Sequence, residues 1–295
     1  MGENEKKRHW GDRRDGRRVK APGLQTIMMY LWPKRTDCEV YLHDTFDATE
    51  LVKYLEAKNA SHPEYKTTIF HCIVTIVARM IRERPKMNRF IQGWRMYERD
   101  EVSLSFVAKR RFSDGADESL MVLVPKDGDA LDDVSRRIVG DVREMRKSET
   151  STGGIDALMD ALAKLPRLFL ALFVRVVRWL DFWGVNPKAL TEGDPNYTTM
   201  LLSNLGSIRC PAVYHHLNNY GTNSIMITVG TLHKEKVLMD DGSEQLRDVI
   251  DIGATLDERI ADGFYFARSL RLVRHILSHP ELLERPLNEA SDFDY

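Results

Sequence analysis

The sequence predicts an α+β fold organised around a mixed open sheet. Three observations predict it. Strand-like and helix-like runs follow one another without the strict alternation of a Rossmann or barrel repeat. Two apolar patterns at helical spacing, 67–84 and 261–278, are long enough to cover one face of such a sheet. The composition, 43% hydrophobic and 29% charged over 295 residues, is that of a chain with a sizeable core and a polar surface.

Residues 1–24 come first as a basic, flexible arm. Lys6, Lys7, Arg8, Arg13, Arg14, Arg17, Arg18 and Lys20 crowd it, and it has no apolar run of the signal-peptide kind. Such an arm either stays solvated or docks on a neighbouring subunit or anionic surface. Cys38–Phe46 alternates like a strand, with Val40, Leu42 and Asp44 set against Tyr41, His43 and Thr45. Asp47 is positioned to cap a helix over 48–57, with Glu50 completing a capping box. In 67–84, Ile69, Ile73, Ile76, Val77 and Met80 mark the strongest helix, stopped by Pro85. His71 within it reads as a core or subunit-contact residue.

Strand-like runs follow at 90–97, 102–111 and 119–125, then a turn at Gly128 and an exposed charged helix over 131–147. Further strands are expected at 198–205 and 225–231. A hairpin pairs 237–239 with 246–256 around Asp241-Gly242. A last amphipathic helix spans 261–278, and residues 284–295 form an acidic tail.

The segment 160–185 is a separate case. Lys164, Arg167, Arg175 and Arg178 share one side of a helical wheel, and Leu165, Leu168, Phe169, Leu172, Val176, Leu180 and Trp183 line the other. It is too short and too charged to span a bilayer. Three readings remain open: packing within the domain or an oligomer, lying on a membrane surface, or walling a pocket for a long aliphatic chain.

Net charge is −1, which selects no nucleic-acid partner. Three cysteines, odd in number and widely spaced, give neither a disulfide framework nor metal-ligand spacing. They suit a reducing compartment, so a cytoplasmic protein is expected, with peripheral membrane contact through 165–183 as an extension.

Two motifs carry the function. Leu256-Asp257-Glu258-Arg259-Ile260-Ala261-Asp262-Gly263-Phe264 and Met200-Leu-Leu-Ser203-Asn204-Leu205-Gly206-Ser207 fall in order with Met80–Phe90 and Ser119–Asp127. Together they resemble the CoA-dependent acyltransferases, the family of chloramphenicol acetyltransferase and the catalytic domain of 2-oxo acid dehydrogenase acyltransferases. About residues 25–283 can be laid on that family. The resemblance implies a two-layer sandwich of mixed sheet and packed helices, an obligate homotrimer with sites between subunits, and CoA or acyl-CoA as substrate without a metal. With only 24 residues before the matched region, no lipoyl or peripheral-subunit-binding domain is expected, which disfavours an ordinary complex core subunit.

The resemblance also implies roles. Ser203 matches the hydroxyl that steadies the oxyanion. Asp262 matches the residue that holds the base loop, and it can cap the last helix with Gly263 as its first residue. Asn204, Asp257, Arg259 and Gly263 are expected to border the substrate. The general base of the family is a His, and the chain holds Glu258 there. A carboxylate is ordinarily a far weaker base than imidazole, about pKa 4.3 against about 6.5. His215 and His216, in Tyr214-His-His-Leu-Asn-Asn-Tyr220, are the other candidate bases. Two functions follow: acyl transfer from a CoA thioester to an acceptor, hydrophobic if 165–183 meets it, or a catalytically silent trimer used for ligand binding, scaffolding or membrane-surface docking.

Overall fold

A computed structural model describes residues 12–61, 64–109, 118–147, 161–239 and 241–294. The first part of the basic arm, residues 1–11, lies outside the described residues, as do the ends of two expected elements at 110–111 and 160.

A larger sheet runs in the order β2-β10-β8-β7-β5-β6, with β9 paired on β10. Its strands are β2 (Glu39–Asp47), β5 (Leu104–Lys109), β6 (Glu118–Leu123), β7 (Met200–Asn204), β8 (Ile225–Val229), β9 (His233–Leu238) and β10 (Glu244–Asp257). β5, β7 and β8 are parallel neighbours, and the other pairings are antiparallel. A smaller sheet has the order β1-β4-β3, from β1 (Gly16–Val19), β3 (Arg89–Gln92) and β4 (Arg95–Arg99). The helices are α1 (Gly23–Leu31), α2 (Thr49–Ser61), α3 (Ile69–Glu83), α4 (Leu131–Lys147), α5 (Arg167–Phe182) and α6 (Gly263–Ser278).

The layer structure follows from strand alternation. Leu202, Ile227 and Ala254 stand in one cross-strand row and face α3 and α6 in the apolar core. One residue along, Ser203, Thr228, Gly253 and His43 form a row whose side chains point to the opposite face. The fold is therefore the expected α+β sandwich of mixed sheet and helices.

α3 buries nearly its whole length, from His71 to Ile81. Its start is a capping box of an uncommon kind. Thr68 Oγ1 accepts from the His71 amide and His71 Nδ1 accepts from the Thr68 amide, both at 3.4 Å. His71 is thus a core and cap residue, and burial lowers its pKa to about 4.

Three expectations are corrected. The basic arm ends before residue 16: β1 pairs with β4, and Arg13 is buried between Asp15 (2.8 Å) and Asp181 (2.7 Å). Buried ion pairing and a strand ladder outweigh composition there. The run 90–97 is a hairpin, not one strand. Gly93 and Trp94 both take φ +58, the geometry of a tight primed turn. The helix 131–147 is not wholly exposed, for it buries Leu131, Val134 and Ile138. The acidic tail is packed on the body. Leu287 and Ser291 are buried, and Arg79 donates to the carbonyls of Arg285, Pro286 and Glu289.

Candidate active site

β10 ends at Asp257, and the chain turns sharply there into α6. Asp257 and Arg259 are fully buried and bind each other in a fork, Nε to Oδ1 at 2.8 Å and Nη2 to Oδ2 at 2.7 Å. Arg259 also donates to the Trp32 carbonyl, tying the turn to the chain after α1. Burial works against the guanidinium charge, but the hydrogen bonds and charge of Asp257 outweigh it and raise the Arg259 pKa. These two residues were expected to border the substrate; with every charged atom turned inward, they instead shape the turn.

Glu258 stands between them, half-buried, its amide donating to the Cys38 carbonyl at 3.0 Å. Asp262 is the N-cap of α6, with its Oδ1 accepting from the Tyr265 amide at 2.8 Å. Gly263 is exposed at the first helical position. Cys38 lies under the turn, and burial pushes its thiol up to about 11, which excludes it as a ready nucleophile.

Ser203 lies near the C-terminal end of β7, half-buried, with Asn204 leading into a short 3-10 turn over Leu205–Ile208. The Leu-Gly of this motif has a packing reason. A Cβ on Gly206 would come within 2.5 Å of the Gly230 carbonyl oxygen. Ser203 pairs across Thr228 with Gly253, and Glu258 is five residues past Gly253 on the same strand line. At about 3.4 Å per residue, Ser203 and Glu258 of one protomer stand roughly 15–20 Å apart. The fold does not bring the two motif residues together within one chain.

His215 and His216 are on the loop that crosses the Ser203 face of the sheet. Val213 packs over Thr228 and Gly253, and the Leu217 amide donates to Glu39 Oε1 at 2.5 Å. The chain from 213 to 217, which carries both histidines, therefore runs from the Ser203 row to Glu39, the β2 partner of Asp257. Each Nδ1 contacts a backbone carbonyl, that of His216 or Leu217 respectively. A carbonyl only accepts, so in the neutral ring Nδ1 carries the proton and Nε2 is the basic nitrogen.

Sequence reasoning missed Glu39, Arg35 and Arg99. Glu39 anchors the histidine loop and accepts from Tyr41 Oη at 2.5 Å. Arg35 donates to Asn218 and Ile91 carbonyls, and Arg99 to those of Tyr197, Thr198 and Thr222. Burial lowers both guanidinium pKa values to about 10. No local signal marks the two arginines, because most of their partners are backbone carbonyls distant in sequence, and the loop amide that Glu39 holds is as distant. Among the described residues, no group of three or more His, Cys, Asp or Glu side chains is placed to hold a metal ion.

An α+β sandwich carrying a Ser-Asn-Leu-Gly strand end and an Asp-x-Arg-x-x-Asp-Gly turn defines a protein of the acyltransferase fold class. Residues 185–284 match the family described as 2-oxoacid dehydrogenases acyltransferase (catalytic domain). The chain is 24% identical over 234 residues to the lipoamide acyltransferase component of the branched-chain alpha-keto acid dehydrogenase complex of Bacillus subtilis (strain 168). That alignment takes in 78% of this chain and 44% of the relative, so the chain spans less than half the relative's length. Solved structures of similar fold include a probable dihydrolipoamide acetyltransferase of Listeria monocytogenes, with TM-score 0.58, 16% identity, and 94% of this chain and 97% of that one covered. The dihydrolipoamide acetyltransferase of Azotobacter vinelandii gives 0.59, 16%, 90% and 93%. A chloramphenicol acetyltransferase gives 0.54, 11%, 89% and 99%.

Proposed function

We propose that the protein transfers an acyl group between a CoA thioester and an acceptor bearing a hydroxyl or thiol, in a homotrimer whose sites form between protomers. One observation carries the reading. Glu258 is presented on a turn locked by the buried Asp257–Arg259 fork, while Ser203 stands far along the same sheet. A site using both takes them from two copies of the chain. α1 supports the assembly. It carries no charged residue and exposes Leu24, Ile27 and Leu31, an apolar face suited to a second copy.

In this reading Glu258 of one protomer takes the acceptor proton as its oxygen or sulfur attacks the thioester carbonyl. The Ser203 hydroxyl of the next donates to the developing oxyanion. Collapse breaks the carbon–sulfur bond, and the CoA thiolate recovers the proton from Glu258. The work on the Azotobacter relative concerns a serine, a histidine and an asparagine, the last two four residues apart. Glu258 and Asp262 keep that spacing with acidic residues in both places.

A second reading has a specific observation in its favour. Glu258 is a carboxylate where the family pattern has imidazole, which suits a silent site that binds acyl-CoA without turning it over. Thiol release from short- to long-chain acyl-CoAs with candidate acceptors separates the two, run beside Glu258→Gln and Ser203→Ala. Loss of turnover in both variants supports transfer through these residues. Turnover that survives Glu258→Gln assigns the base to His215 or His216. CoA binding without turnover, converted to turnover by Glu258→His, supports the silent site.

A further inference from the structure

We infer that α5 is an in-plane docking helix for an anionic lipid bilayer surface. The helix is fastened to the body at its C-terminal end. Asp181, 4% exposed, accepts from Arg13, Gln92 and Asn186, and Phe182 packs edge-on against Trp94 at 4.8 Å. Gly93 permits this approach, because a Cβ there would meet the Phe182 carbonyl oxygen at 2.2 Å. Val177 is the one other fully buried residue of the helix among those described.

The side turned away from the body is apolar and bare. Leu168 is 84% exposed, Phe169 65%, Trp179 61% and Leu172 58%, with Val176 and Trp183 beside them. At 100° per residue these six fall within one arc of about 100°. An arc of that width, ending in two tryptophans, matches a helix that sinks one face to the level of the headgroups.

Charge selects the occupant. Lys164, Arg167, Arg175 and Arg178 are all exposed and, on the same wheel, line one flank of that arc, between it and the side that holds Val177 and Asp181. The single acidic residue between 161 and 185 is Asp181, and it is buried in its own ion pair. The exposed helix is thus purely cationic around its apolar face. Long basic side chains at such an edge reach lipid phosphates while their stems stay on the apolar surface. α1, which the proposed trimer covers, is uncharged, so the two exposed helices differ in the surface they complement. Sixteen residues with three arginines do not cross a bilayer, and no described helix is long and apolar enough to do so.

The test is co-sedimentation of the full chain with vesicles of phosphatidylcholine alone and with roughly 30 mol% phosphatidylglycerol. The expected result is binding to the anionic vesicles, weakened at high salt, and reduced at least about tenfold by Leu172→Glu with Phe169→Glu and by Arg175→Glu with Arg178→Glu. These positions are exposed, and unchanged circular dichroism and melting would show that the variants fold. No binding to anionic vesicles, or binding indifferent to both variants, overturns the inference. So does a change of oligomeric mass, measured by light scattering, when the apolar residues are replaced; that would make a second copy the occupant. Acyl transfer is scored separately, so failure of the active-site reading leaves the vesicle result standing.

Discussion

Asp257 and Arg259 grip each other in a buried two-point fork, and Glu258 is the residue held between them. The fork holds the turn in which Glu258 leaves the end of β10.

Breaking the fork from one side strands a buried charge. Asp257→Ala or Arg259→Ala is expected to cost about 3–5 kcal/mol. The double replacement Asp257→Leu with Arg259→Met is expected to cost less than either. Urea denaturation of the three variants checks the order, and equal costs for the single and double changes would refute it.

Acid is expected to destabilise the protein through His71. Its folded pKa is lowered to about 4 by burial, against an ordinary value of 6.5. Between those values the unfolded chain binds the extra proton, so the stability present above pH 6.5 falls as pH drops toward 4. The loss approaches on the order of 3 kcal/mol, and it coincides with protonation of the nitrogen that accepts from Thr68. Melting temperature against pH tests this, with His71→Gln as control. Gln keeps an acceptor for the capping box and should flatten the acid limb.

Gly253→Ala is expected to lift the histidine loop. The added carbon would meet the Val213 carbonyl oxygen at 2.7 Å and Thr228 Oγ1 at 2.8 Å. A loss of about 1–3 kcal/mol is expected, with faster proteolysis within 210–217. An unchanged digestion pattern would show that the loop does not depend on this contact.

Intersubunit sites predict complementation. If transfer uses Ser203 and Glu258 of neighbouring protomers, Ser203→Ala and Glu258→Gln chains are inactive alone. Co-assembled in equal amounts, they should recover about a quarter of wild-type activity, since one interface in four receives both intact residues. Sites contained within one protomer would recover none.

Much of the fold was legible locally. The helix α3 and the hairpin of β9 with β10 follow from apolar spacing and an Asp-Gly turn, because both signals act over a few residues. The capping role of Asp262 was legible for the same reason. The buried inversion of Asp257 and Arg259 was not. An Asp-x-Arg triplet reads alike whether its charges face substrate or each other, and only the depth of the turn decides.

By itself the sequence determined most elements after residue 38, their order and the two motifs, since turn chemistry and amphipathic period are local properties. Tertiary structure alone decided that β1 closes on β4 with Arg13 buried, and that Ser203 and Glu258 stand at separate ends of one sheet. It also decided that the apolar face of α5 points outward. Periodicity gives a helix a polar and an apolar side, but the body attaches through Val177 and Asp181, and that attachment sets which side meets solvent.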